Sequence, residues 1–143
     1  MQNNRLPLST DITHRIIMEH RIIKYIKGRL KSFAHAFNGI HILIKEERNA
    51  QIYVVMAILA ILLSYLLNIS KMEWIVVCSV IGFVFAMEAA NTAVENLSDF
   101  ACNKHIDPTI KKVKDLSAAS VLIAAIVALI AGCIIFIPKL LSL

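Results

Sequence analysis

Glu88, Asn91, Glu95 and Asp99 follow directly on an uncharged run, with "WIVVCSVIGFVFA" leading into "MEAANTAVENLSDF". They are spaced 3, 4 and 4 residues apart. On a helix such spacing gathers them within a sector of about 80°, and Thr92 extends the same stripe. Part of this is explained if the helix simply leaves an apolar environment and becomes polar. That suits Asp99 and Glu95, but not Glu88, which lies only 14 residues after Trp74. A carboxylate deep in a bilayer costs roughly 3 kcal/mol, so such groups face a bundle interior or a water-filled cavity. Stacked carboxylates also require positive charge. Lys111, Lys112 and Lys114 follow in the next polar segment. A hard cation such as Mg²⁺ is the other source, because it takes oxygen ligands and commonly sits on one or two carboxylates plus substrate phosphates. Glu46 and Glu47 add carboxylates just ahead of another apolar run. Acids drawn from the ends of separate spans suit phosphoryl transfer better than transport, which would place polar groups deep in every span.

The elements that position these groups are read from composition and hydropathy. The chain has 143 residues and is 58% hydrophobic. Soluble domains hold about 45–50% apolar residues, so the excess indicates a membrane protein. Spans are expected at about 50–67, 74–94 and 117–137. Eighteen residues of helix reach about 27 Å, close to the thickness of the hydrocarbon core. The first 30 residues hold no continuous apolar run, so the span from Ala50 is expected to act as an uncleaved anchor. The net charge of +5 suits anionic lipid head groups better than nucleic acid, since the bases flank the apolar runs.

Lys and Arg number nine before the first span, one before the second, four before the third and one after it. The positive-inside rule then puts the N-terminus and the second loop in the cytoplasm. The Glu88 stripe thus falls at the cytoplasmic end of span two, within reach of ATP. Upstream, Phe33, Phe37, Ile40 and Ile44 share one helical face, as expected of a helix lying in the interface. Asn38-Gly39 is expected to kink it. Ile12, Ile16, Ile23 and Ile26 show a weaker form of the pattern, and residues 1–10 read as a loose tail. Along span three, Ser120, Ala124, Ala128 and Gly132 recur every four residues, as in close helix packing, although alanine is common in membrane helices generally. Cys78, Cys102 and Cys133 form no C-x-x-C pair and are expected to be structural. The four glycines cannot build either common phosphate-binding glycine loop.

The segment "EAANTAVENLSD" resembles the E-x-x-N-[ST]-A-[IV]-E-x-x-x-D motif of the prokaryotic diacylglycerol kinase family. These are small membrane lipid kinases that include undecaprenol kinases. "EERN" at 46–49 and "KDLSAASV" at 114–121 resemble the segments that open the family's first and third spans. "SFAHAFNG" at 32–39 is similar to the interface helix of the undecaprenol kinase branch. The resemblance covers roughly residues 27–140, leaving 1–26 as an extension and 27–143 as the kinase domain. Ala89, Ala90, Asn96 and Ser98 depart from the bulkier or apolar residues usual there.

The resemblance implies an all-α fold of three transmembrane helices preceded by an amphipathic interfacial helix. It further implies a homotrimer with sites at subunit interfaces, in the bacterial cytoplasmic membrane. Under it, Glu88 is the general base on a lipid hydroxyl and Asn91 orients the reacting groups. Glu47 and Glu95 hold Mg²⁺ and, with Lys114, Asp115 and Asp99, the ATP. Arg29, Glu88 and Asn91 contact the lipid. Diacylglycerol is the expected acceptor, with undecaprenol as the alternative. A small proton-coupled transporter and a non-catalytic scaffold are the remaining readings. Neither explains why the acids and Lys114 converge on the cytoplasmic face.

Topology is directly testable. In a variant lacking the native cysteines, Lys71→Cys should react with an impermeant maleimide from outside the cell. Asp107→Cys should react only from inside. The reverse pattern would separate the acidic stripe from cytoplasmic ATP.

Overall fold

Four helices account for nearly the whole backbone: α1 Leu8–Glu46, α2 Arg48–Leu66, α3 Lys71–Ala101 and α4 Pro108–Leu141. The structure is a computed structural model that describes residues 8–102 and 107–142, with side chains from residue 18 onward. Part of the expected tail, residues 1–7, lies outside the described residues, as do the side chains of Ile12 and Ile16 and the loop residue Lys104. Within the described part, helix replaces the tail from Leu8. The chain divides into two compact units, Met1–Ile40 and His41–Leu143.

In the first unit, α1 remains helical through Gly28 and through Asn38-Gly39. Ile22, Ile26, Leu30, Phe33, Phe37 and Ile40 are all exposed along it. Their spacing of three and four residues makes one apolar stripe. Arg29 Nε donates to the Tyr25 hydroxyl at 3.0 Å, and its guanidinium lies 5.0 Å from the centre of that ring. The Ser32 hydroxyl donates to the Gly28 carbonyl at 3.1 Å.

The second unit holds the three helices long and apolar enough to cross a membrane. Their termini are built from local chemistry. α2 stops where Asn68 takes a left-handed conformation, φ 47°. The Ile69 N–H bonds the Ser64 carbonyl and the Asn68 N–H bonds Tyr65, each at 3.2 Å. These two bonds form a Schellman motif, which satisfies carbonyls that the helix end would otherwise orphan. Ser70 then caps α3 in a reciprocal box with Glu73. Asp107 caps α4, accepting from Thr109 N–H at 2.7 Å and Ile110 N–H at 3.2 Å. Those donors favour the charged carboxylate and hold its pKa below the usual value. The cap is therefore present at neutral pH and lost as pH falls through the folded pKa. Pro108 follows at the first helical position, where its missing N–H costs nothing.

Helices α3 and α4 make the most extensive helix contact, and α2 touches both. On α3, Val77, Val84, Glu88, Asn91 and Ser98 are buried, with Ile81 and Glu95 half-buried between them. Their separations alternate four and three, the repeat of a helix packed along a seam. On α4 the matching seam runs through Lys114, Ser117, Val121, Ala124, Ala128 and Ile135. Ion pairs lie near both ends of this hairpin: Lys114–Asp99 at 2.9 Å and Lys139–Glu73 at 3.4 Å. Ala50, fully buried on α2, leaves no bulk between that helix and its neighbours. The small-residue stripe on α4 divides in two. Ala124 is 1% exposed and packed, whereas Ala128 and Gly132 border a cavity. All three cysteines are free, with Cys78 and Cys133 on the helix surface.

Ala124→Leu should therefore overpack the α3–α4 seam and destabilise the protein by about 1–3 kcal/mol in thermal unfolding in detergent. The exposed Lys112→Gln should stay within about 0.5 kcal/mol. Equal melting of the two variants would contradict the seam.

Candidate active site

The α3 seam is apolar in its N-terminal half and polar towards its C-terminal end, and the change occurs between Val84 and Glu88. Glu88 is 1% exposed. Its Oε2 is buried and has no hydrogen-bond partner among the described residues. One turn on, buried Asn91 donates from Nδ2 to Glu95 Oε1 at 3.0 Å. That leaves Asn91 Oδ1 buried and likewise unpartnered. Each unsatisfied buried acceptor costs about 1–3 kcal/mol. A hydrogen-bond donor or a cation is what both atoms lack.

Helix α2 supplies the facing wall. Asn49 bears on the Glu88 carboxylate as a side-chain donor, and Glu47 and Glu95 act on that carboxylate by charge. Tyr53, one turn beyond Asn49, also feels Glu88. Glu47 is the N-cap residue of α2, yet its side chain makes no capping hydrogen bond. Its carboxylate is thus not spent on the helix end, although the positive end of the α2 dipole favours an anion there. Across the hairpin, Lys114 pairs with Asp99 and lies within electrostatic reach of Glu95.

Glu47, Glu88, Asn91, Glu95 and Lys114 thus share one region of the second unit. Asp99 lies where the helix becomes polar, as its place at the end of the stripe suggested. It is exposed, and Ser98 takes the buried position instead. The seam repeats every 3.5 residues, and Asp99 falls one residue off it, turned towards Lys114. Asp115 is exposed and stands outside the Lys114–Asp99 pair. Arg29 belongs to the first unit, where Tyr25 holds it. Asn49, Tyr53 and Ser98 escaped the sequence reading. Asn49 and Tyr53 are four apart on one face of α2, and Ser98 is seven residues after Asn91, so a search at seam spacing finds them.

Chemically, three carboxylates converge with one ammonium at their edge, an arrangement that favours a cation or a proton donor. Among the described residues, no group of three or more His, Cys, Asp or Glu side chains is arranged to hold a metal by itself. Two carboxylates completed by phosphate oxygens remain compatible with Mg²⁺.

Comparison with known proteins gives this geometry a family. The sequence profile described as Prokaryotic diacylglycerol kinase matches residues 34–136. The undecaprenol kinase of Bacillus subtilis (strain 168) is 37% identical over 110 residues, covering 77% of this chain and 89% of that protein. A diacylglycerol kinase of Synechocystis sp. (strain ATCC 27184 / PCC 6803 / Kazusa) is 32% identical over 114 residues, covering 80% of this chain and 65% of that protein. A multi-pass helical chain with a buried acidic stripe and these relatives belongs to the prokaryotic diacylglycerol kinase family, membrane lipid kinases that phosphorylate an alcohol.

Proposed function

We propose that the protein transfers the γ-phosphate of Mg-ATP to the hydroxyl of a membrane lipid alcohol at the cytoplasmic face. The observation that carries this reading is the pair of unpartnered buried acceptors, Glu88 Oε2 and Asn91 Oδ1. A lipid hydroxyl supplies a donor where one is lacking. In this reading Glu88 Oε2 accepts the hydroxyl proton. The freed oxygen bonds the γ-phosphorus, and the bond from that phosphorus to the bridging oxygen breaks to release ADP. Asn91 holds its register through Glu95, and its Oδ1 stands beside the reacting groups as an acceptor for a second substrate donor. Lys114, anchored by Asp99, offsets charge on the phosphoryl oxygens. Glu47 and Glu95 are the carboxylates suited to Mg²⁺, because among the described residues neither spends its charge on a cationic side chain at hydrogen-bond distance. When bound, the ion would neutralise phosphate charge. Positioning and electrostatics dominate phosphoryl transfer, so no covalent role is assigned to the chain.

Diacylglycerol is the first acceptor in this reading, with phosphatidic acid as product. Its two ester carbonyls call for donors, and α1 carries Arg29, Lys31, Ser32, His35 and Asn38. A second reading, undecaprenol, is favoured by a specific observation: Arg29 Nε and the Ser32 hydroxyl already donate within α1. A polyprenol has no ester carbonyls and needs no such donors. The Bacillus relative is named for that substrate.

Glu88→Gln should lower kcat by at least about a hundredfold while leaving the Mg²⁺ concentration for half-maximal rate unchanged, as loss of a base requires. A raised Mg²⁺ requirement with kcat preserved at saturation would instead make Glu88 a metal ligand. Competition between diacylglycerol and undecaprenol at equal surface concentration should give diacylglycerol the higher kcat/KM. A tenfold advantage for the polyprenol, about 1.4 kcal/mol in transition-state binding, would reassign the acceptor.

A further inference from the structure

The second unit holds a half-open cavity of about 540 Å³ between α2, α3 and α4, a volume typical of small-molecule sites. Its walls are apolar along almost their whole length, from Ala57 and Ala60 on α2, through Val77 and Val84 on α3, to Ala128 and Phe136 on α4. Tyr53 and Val84 border its cytoplasmic end. Val84 is one turn before Glu88 on the same α3 seam, and Tyr53 is the residue that feels the Glu88 charge. The cavity is thus the direct apolar continuation of the site. From Val77 to Val84 the helix rises about 10 Å, so the cavity extends along the spanning part of α3 and ends one turn short of the carboxylate. On α4 the small residues Ala125, Ala128, Ala131 and Gly132 line it. A Cβ built on Gly132 would meet only the Phe136 ring, at 3.8 Å, so the space there is unfilled.

We infer that this cavity receives the hydrocarbon chain of the acceptor lipid and sets a preference for long chains. The inference rests on the lipid kinase reading above. A lipid whose hydroxyl lies against Glu88 must direct its chain away from the cytoplasm, and the cavity lies along that direction. Its walls offer no donors or acceptors that a polar ligand would use, save the Tyr53 hydroxyl at the mouth. A chain here exchanges the bilayer for a confined apolar slot, so selectivity comes from fit rather than from transfer out of water.

Two measurements test this in the full-length protein reconstituted in nanodiscs. The first compares kcat/KM for acceptors of one head group with short, eight-carbon chains and with long, eighteen-carbon chains. Gly132→Leu, and independently Ala60→Leu, should lower the long-chain value by about tenfold or more and leave the short-chain value within about twofold. Equal loss for both lengths, or loss for neither, overturns the inference. The second needs no activity: a long-chain lipid alcohol carrying a diazirine at the chain end is photolysed and the adducts are mapped. Labelling should concentrate in residues 125–137 and fall when the cavity is filled. Labelling confined to outward residues such as Ile58 and Leu62, or disulfide crosslinking of Cys133 between two copies of the chain, overturns it. If the wild type phosphorylates no lipid alcohol of either length, the kinase reading fails, while the photolabel still decides what the cavity holds.

Discussion

A carboxylate held inside a helical seam is the constraint around which this protein is arranged. Glu88 occupies a position that the repeat along α3 reserves for packing, between Val84 and Asn91. An apolar side chain there would lower the free energy of the folded unit. Glu88 instead brings an oxygen that nothing among the described residues satisfies. The acids facing it, Glu47 and Glu95, add repulsion. A site left short of donors and positive charge is destabilised until a substrate supplies them, which links binding to chemistry.

The rest of the fold makes that arrangement tolerable. Ion pairs fix the α3–α4 hairpin near both ends, and caps at Ser70 and Asp107 satisfy helix termini without using the acids of the site. Only Glu47 separates α1 from α2. That single non-helical residue sets a carboxylate free at the start of α2, beside the helix that carries Glu88. Ala50 and Ser64, fully buried on α2, leave its packed face narrow. The same economy of volume on α4 produces packing at Ala124 and open space at Ala128 and Gly132.

The spans and the central acids were legible in the sequence because both follow from strong, local signals. An apolar run long enough for a bilayer leaves few alternatives, and a glutamate within it is conspicuous. The register at the end of the stripe was not legible. Asp99 fits an ideal helix face as well as Ser98 does, and only the 3.5-residue repeat of a packed seam separates them. Asn49 and Tyr53 were missed because their importance comes from the helix they face, which periodicity does not report. The small-residue stripe on α4 was read as one surface, although Ala124 is packed while Ala128 and Gly132 border a cavity. The tail was expected to be irregular from Pro7 and its polar residues, but helix begins at Leu8, although Ser9, Thr10, Asp11, Thr13 and His14 are weak helix formers.

The most direct test of the account is transfer of radiolabelled γ-phosphate from ATP into chloroform-extractable lipid by the purified, reconstituted protein. The account predicts labelled lipid phosphate that forms with Mg²⁺ present and is abolished by EDTA. Labelled lipid phosphate formed equally well in EDTA would contradict the assignment of Glu47 and Glu95, and its absence under both conditions would contradict the lipid kinase site itself.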